Sequence, residues 1–269
     1  LSTRVEEIVA EGGKVKGVRL EDGTMLTTRV VIGSIHPKMT LDMVTPGAID
    51  RNLLMRAALA PANAHGASPM TGDLALRGLS GYSRHESMRP DGVSLRKSGI
   101  IIGTAEAVLD NFRCAARGEV SKQTYQWVTI PTGMDPSQAP EGQDVAYLYP
   151  VAMPVTPRGG WDSIRDEVGQ LVIDQASEYM DGLKEIEIAR RVDVSPDWAE
   201  RYNVLNGCVV HVDTMPTRSG SMRPAAGLGG GTLPVEGLYL GGAGTPPGGG
   251  VNGLPGRIVA ARVSRYLGK

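Results

Sequence analysis

The chain has 269 residues, a formal net charge of -1 and 21% charged residues, enough for a sizeable core and for one large or two modest domains. That balance leaves no electrostatic footprint for nucleic acid or for an anionic membrane surface. Aromatics are scarce at 4% and glycines number 36, which suits many turns and close backbone approaches better than a stacking or cage-lined site.

No apolar run is long enough to span a bilayer and no basic, apolar leader opens the chain, so a soluble, cytoplasmic protein is expected. The amino end lacks a methionine and reads as the product of processing or of a boundary. Cys114 and Cys208 are expected to be reduced and buried.

In chain order, residues 1–9, 16–20 and 25–32 alternate like strands, separated by Glu11-Gly12-Gly13-Lys14 and Glu21-Asp22-Gly23-Thr24. Both separators supply the positive φ of tight turns, so a three-stranded meander is expected. Residues 38–44 and 50–59 suggest short helices, and Pro37 biases His36 toward an extended backbone. Residues 60–98 read as loops with a strand near 73–76; His65 and His85, without companion ligands at metal spacing, read as solvated loop histidines.

Residues 100–103 suggest a strand or helix onset, and residues 104–117 a helix with Ala107, Leu109, Phe112 and Ala115 inward, closed by Gly118. Residues 124–130 and 144–151 suggest antiparallel strands joined by a long connection. The helical spacing of Ile164, Val168, Leu171, Val172, Ala176 and Met180 predicts the longest helix over 161–183. A strand over 186–194, a short helix over 197–202 and a strand over 208–212 follow, and residues 215–232 form a long loop holding Arg218 and Arg223. Such a loop inside a compact domain is usually functional. Residues 257–267 predict a terminal helix burying Val259, Val263, Tyr266 and Leu267.

Before that helix lies Gly237-Leu238-Tyr239-Leu240-Gly241-Gly242-Ala243-Gly244-Thr245-Pro246-Pro247-Gly248-Gly249-Gly250-Val251-Asn252-Gly253-Leu254. An apolar strand, a glycine-dense turn and a helix start are the ingredients of a phosphate site. As a dinucleotide fingerprint it is poor, because proline stands where the third glycine belongs. Asn252 as N-cap and Pro255 in the first turn favour a cofactor contact over a purely structural turn.

These residues resemble the flavin-dependent oxidoreductases that include phytoene dehydrogenases and, more distantly, amine oxidases. The resemblance runs through Leu1 to Ile8, Gly17 to Gly23 and Val30 to Ser34, then Asp135 to Gly142 and Ser195 to Trp198. It continues through Gly207 to His211, Met222-Arg223-Pro224, Leu238 to Gly244 and Gly248 to Val251.

It implies an α/β (α+β) fold: an incomplete FAD-binding Rossmann-like domain of glutathione reductase type, with a mixed-sheet, helix-bearing substrate domain. On that reading residues 1–37 and 206–269 build the FAD domain and residues 38–205 the substrate domain. The cofactor would be FAD, with Val5 at the adenine and Gly241, Gly242, Ala243, Gly244 and Thr245 at the ribityl-pyrophosphate part. Gly249, Gly250, Val251, Asn252 and Leu254 would lie along the pyrimidine end, where helix amides favour negative charge. No metal is implied.

The family's amino-terminal fingerprint and part of its substrate domain have no counterpart here, so the resemblance implies a carboxyl-terminal half. The expectation is an amino-terminal partner on a separate chain, in a heterodimer or larger assembly, and a small apolar or amine substrate.

His211 and Arg223 are the candidate catalytic residues. His211 is a titratable imidazole near the flavin turn or a satisfied sheet histidine; Arg223 is an anchor for an anionic group or a loop-fixing side chain. Two functional classes stay open: an enzyme half, and a binding or assembly module that keeps the fold without the flavin.

Overall fold

The structure is a computed structural model and describes residues 2–230 and 233–269; Leu1 of the first expected strand, and Gly231 and Thr232 of the expected loop, lie outside the described residues. Strands β1 (Val5–Glu11) and β2 (Lys14–Leu20) are joined through Gly12 and Gly13 at φ +59° and +74°. That left-handed pair matches the twist of a tight hairpin. Gly23 at φ +84°, with Asp22 Oδ1 accepting from the Thr24 N–H at 2.8 Å, turns the chain into β3 (Met25–Thr27).

The strand expected over residues 25–32 breaks in two. Thr28 Oγ1 donates to the Val30 carbonyl and accepts from the Val30 N–H, and such local bonding competes with a ladder. β4 (Val31–Gly33) therefore leaves the meander for a second sheet. Helices α1 (Pro37–Asp42) and α2 (Arg51–Ala58) follow. Each has a side-chain cap: His36 Nδ1 accepts from the Lys38 N–H at 3.1 Å, and Asp50 Oδ1 from the Asn52 and Leu53 N–H groups.

The middle of the chain contributes β5 (Ala67–Ser68), β6 (Thr71–Leu76), α3 (Ser83–Glu86), β7 (Ile100–Ile102), α4 (Ala105–Ala116), β8 (Gln126–Thr129), β9 (Asp144–Pro150), β10 (Met153–Pro154), α5 (Trp161–Ser177), β11 (Glu187–Asp193) and α6 (Ser195–Tyr202). The carboxyl-terminal part adds β12 (Leu238–Leu240) and α7 (Leu254–Tyr266). Contacts divide these elements into two units, Leu1–Ala62 with Ala199–Lys269, and Asn63–Trp198.

In the second unit, five antiparallel strands in the order β11-β6-β9-β8-β7 bury Leu74, Leu76, Val128, Ala146 and Leu148 in one core with Val168, Val172 and Ala176 of α5. Gly169 of α5 permits a close approach to β11, since a Cβ there would lie 2.9 Å from Val192 Cγ2. Asp144 is buried at the start of β9, where it takes two bonds from Arg96, at 2.7 and 3.1 Å, the Thr132 hydroxyl at 2.6 Å and the Ser80 N–H at 2.8 Å. A buried carboxylate is tolerated only when satisfied in this way.

Several local expectations change. The inner face of α4 is Ala107, Asn111, Cys114 and Ala115, while Leu109 and Phe112 are 59% and 46% exposed. Asn111 decides this, because its amide donates to the Gln123 carbonyl and accepts from the Tyr125 N–H at 2.8 Å. Helix α5 stops at Ser177, short of residue 183. His85 belongs to α3 and stacks on Tyr179 at 5.5 Å, so it is not a solvated loop residue. Helix α7 begins at Leu254, and it buries Pro255 and Val259 only, leaving Tyr266 exposed. Neither Cys114 nor Cys208 forms a disulfide, and both are buried.

In the first unit, β12 runs parallel to β4, pairing Leu238, Tyr239 and Leu240 with Val31, Ile32 and Gly33. Ile8, Leu41, Val44, Leu53, Leu228, Leu238 and Leu240 share its core. The Ile8 N–H donates to the Met43 carbonyl at 2.8 Å, and the Thr45 N–H to the Ile8 carbonyl at 3.0 Å, so the segment after α1 is stitched to the meander.

Candidate functional site

The carboxyl ends of β4 and β12 meet at the glycine turn, where the Gly241 N–H donates to the Gly33 carbonyl at 2.8 Å. A Cβ on Gly242, at φ +72°, would lie 2.5 Å from Ser34 O; one on Gly244 would lie 2.8 Å from Pro37 Cδ, and one on Gly249 2.8 Å from Val210 Cγ1. These glycines are demanded by the chain's own packing. Thr245 is buried, its N–H and hydroxyl both donating to the Gly242 carbonyl, at 3.1 and 3.0 Å.

Beyond Gly249 the turn opens. Gly250 takes φ +126°, and Val251 takes φ +53° with its side chain fully exposed, a rare conformation for a β-branched residue. Gly253, at φ +67°, has nothing within 4 Å of a built Cβ and is the N-cap of α7. Asn252 acts one residue further out, its Oδ1 accepting from the Leu254 N–H at 2.9 Å. The candidate cofactor residues thus divide: 241–245 pack against their own chain, and Gly250, Val251, Asn252 and Leu254 face solvent.

Arg223 is 2% exposed, and among the described residues its guanidinium bonds to main-chain oxygens alone. Nε and Nη2 donate to the Ala243 carbonyl at 3.1 and 2.8 Å, Nη2 also to Val210 and Val212 at 2.9 and 2.7 Å, and Nη1 to Asp213 at 3.3 Å. Burial pulls the guanidinium below its ordinary value, while the acidic groups of Cys208 and Asp213 oppose that pull. Arg223 is therefore a clasp between residues 210–213 and the glycine turn.

That clasp explains why residues 208–212 form no strand. The Val210 and Val212 carbonyls that a ladder would use go to Arg223. His211 takes φ +61°, with its N–H donating to the Cys208 carbonyl at 2.8 Å. His211 Nδ1 is buried with no hydrogen-bond partner among the described residues, and burial followed by the charge of Arg223 holds its imidazole below the usual value.

His36, which sequence reasoning treats only as the residue before Pro37, is fully buried. Burial first, then the charges of His211 and Lys38, push it down to about 4. Its signal in sequence is weak, a histidine in N-cap position ahead of a proline.

An open groove of about 900 Å³ adjoins this end of the pair, walled by Val5, Glu6, Ile32, Gly33, Ser34 and Met39 among others. Among the described residues β4 has β12 as its only strand partner, and Ile32 is 44% exposed. Also among the described residues, no three His, Cys, Asp or Glu side chains gather to hold a metal, and no helix is long and apolar enough to cross a membrane.

No family model matches the chain. Its homologues are oxidoreductases. It is 28% identical over 268 residues to the pyridine nucleotide-disulfide oxidoreductase domain-containing protein 2 of Mus musculus, covering 95% of this chain and 45% of that protein. It is 25% identical over 264 residues to the zeta-carotene-forming phytoene desaturase of Myxococcus xanthus, covering 96% and 46%. With one of the subunits of limonene dehydrogenase from Castellaniella defragrans it shares 30% identity over 147 residues, covering 52% and 27%.

Among solved structures it superposes on an oxidoreductase from Methanosarcina mazei with a TM-score of 0.59 at 15% identity, covering 97% of this chain and 49% of the other. On cyclohexylamine oxidase from Brevibacterium oxydans the TM-score is 0.58 at 12% identity, covering 99% and 49%. The mixed α/β fold is that of these oxidoreductases, and the chain spans about half the length of the curated relatives that it matches along its whole length.

Proposed function

From its half-length homology to oxidoreductases we propose that the chain is the carboxyl-terminal, FAD- and substrate-binding half of an enzyme that dehydrogenates a small apolar or amine substrate, working with an amino-terminal half that carries the dinucleotide fingerprint. The parallel β4–β12 pair carries this reading. Parallel strands belong to sheets whose two faces are covered, whereas among the described residues β4 has one strand partner and an open groove beside it. A further parallel strand along β4 would complete the sheet. That one relative is a subunit of a dehydrogenase supports placing the other half on a separate chain.

The residues present fit such a cofactor. A groove of about 900 Å³ lies within the range of small-molecule sites, roughly 300–1,000 Å³, and Val5 stands in its wall as the resemblance implies. When bound, the flavin supplies the hydride acceptor.

This chain's own residues bind and orient. The open segment Gly250 to Leu254 leads into the first turn of α7, whose N-cap carries no side-chain bond; such a terminus favours an anionic group by roughly 0.3–2 kcal/mol. Arg223 holds the turn that presents this segment. His211 lies behind Gly244, its Cβ 3.5 Å from the Cβ position of that glycine, and offers a neutral ring.

Co-expression with a fingerprint-bearing half and a visible spectrum of the purified complex test this. A yellow complex that bleaches with a cyclic terpene or a primary amine is expected. A colourless complex would support the binding-module alternative, and a lone chain that is monomeric, cooperatively folded and binds FAD tightly would overturn the need for a second half.

A further inference from the structure

We infer that His36 and His211 are bridged by one buried, water-sized ligand, and that through it His36 acts as a positioning residue that sets which ring nitrogen of His211 carries the proton. Gly244 separates the two residues: its Cβ position lies 2.8 Å from Pro37 Cδ, next to His36, and 3.5 Å from His211 Cβ. Among the described residues, each imidazole has one buried nitrogen without a hydrogen-bond partner, Nε2 of His36 and Nδ1 of His211.

The two unmet capacities are complementary. His36 Nδ1 accepts from the Lys38 N–H at 3.1 Å, so the neutral ring carries its proton on Nε2, which becomes a donor without an acceptor. The Ala60 carbonyl is near enough to favour the protonated ring but stands outside hydrogen-bond geometry. His211 Nδ1 can supply the acceptor in the Nε2–H tautomer. The two do not bond directly, since both are without partners, and a water that accepts from one and donates to the other satisfies both. Thr40 Oγ1, one helical turn after His36 and set against Gly33, is a third buried polar atom without a partner at this base of the turn.

Neutrality of the pair has its own physical causes. His36 is buried and faces the charges of His211, Lys38 and Asp42, while His211 is buried and faces Arg223; apart from Asp42, these charges oppose protonation. His211 is then a hydrogen-bond donor through Nε2 near neutral pH, not a general base. The inference rests on the geometry of the pair and holds whether or not the chain binds FAD, so its test does not depend on the proposed activity.

Long-range ¹H–¹⁵N correlation spectra of the full chain, with histidine labelled, read the tautomers directly. At neutral pH both His36 and His211 are expected as single Nε2–H tautomers, with an exchange cross-peak between His36 Hε2 and bound water. His36→Gln, whose amide keeps a donor, should preserve the His211 signature. His36→Phe should convert His211 to a mixture of tautomers and move its titration midpoint upward.

An Nδ1–H tautomer of His211 in the wild type, or a missing water cross-peak, overturns the inference without any variant, as does an unmoved His211 signature in folded His36→Phe.

Discussion

Replacing Arg223 by methionine tests the clasp most directly. The substitution keeps much of the apolar stem but strands the carbonyls of Val212, Asp213 and Ala243, while the Val210 carbonyl keeps the Val212 N–H at 2.7 Å. At about 1 kcal/mol for each stranded carbonyl that cannot rehydrate fully the loss is about 3 kcal/mol, and removing one side of a buried charged network typically costs about 3–5 kcal/mol. Both figures are a large share of the roughly 5–15 kcal/mol that holds an ordinary domain together.

Hydrogen exchange on the chain without added cofactor is the assay, because it localises the effect. The Gly241 and Thr245 amides, bonded to the Gly33 and Gly242 carbonyls, should exchange roughly a hundred-fold faster or more if they open with the turn. Amides of β9 in the other unit should stay unchanged. Arg223→Lys should fall between, since one ammonium cannot span both sides of the clasp. Unchanged protection of the turn in Arg223→Met would refute the clasp and return Arg223 to the role of an anchor for an anionic ligand.

Gly242→Ala adds a Cβ 2.5 Å from a backbone oxygen at φ +72°, whereas Gly253→Ala meets open space at φ +67°; both carry a left-handed penalty of roughly 1–2 kcal/mol, so a larger melting-temperature loss in Gly242→Ala measures the close approach, and equal losses would deny it. Leu148→Ala, at a fully buried position on β9, should cost about 2–5 kcal/mol in urea unfolding. Leu109→Ala, on the exposed face of α4, should stay within about 0.5 kcal/mol; a large effect there would reinstate the inward face expected from spacing.

His36 has a folded value depressed from 6.5 to about 4, so the unfolded chain binds the extra proton. The stability this represents is present in full above the unfolded value and is lost as pH falls through that window. Melting of the wild type between pH 7 and pH 4 should therefore fall more steeply than that of His36→Gln, and parallel curves would contradict the assignment.

Sequence alone made much of the local structure readable wherever a backbone constraint sits in the residue itself. The Gly12-Gly13 and Asp22-Gly23 turns and the β9 alternation follow from φ preference and period, which act over a few residues. The strand–turn–helix order around the glycine stretch was legible for the same reason. Its meaning was less so, because spacing cannot tell whether a missing side chain makes room for a ligand or for Ser34, Pro37 and Val210 of the same chain.

Tertiary structure decided the rest. It turned the inner face of α4 to Asn111, broke residues 25–32 at Thr28, and denied residues 208–212 a ladder by giving their carbonyls to Arg223. It also set His36, unremarkable in the sequence, behind the glycine turn next to His211. Each of these depends on which distant polar group reaches a partner, and a buried donor or acceptor must be matched wherever in the chain its partner lies. Local propensity holds no record of that match, so the chain's turns and periods were written in its residues, and the polar pairings behind the candidate site arose only on folding.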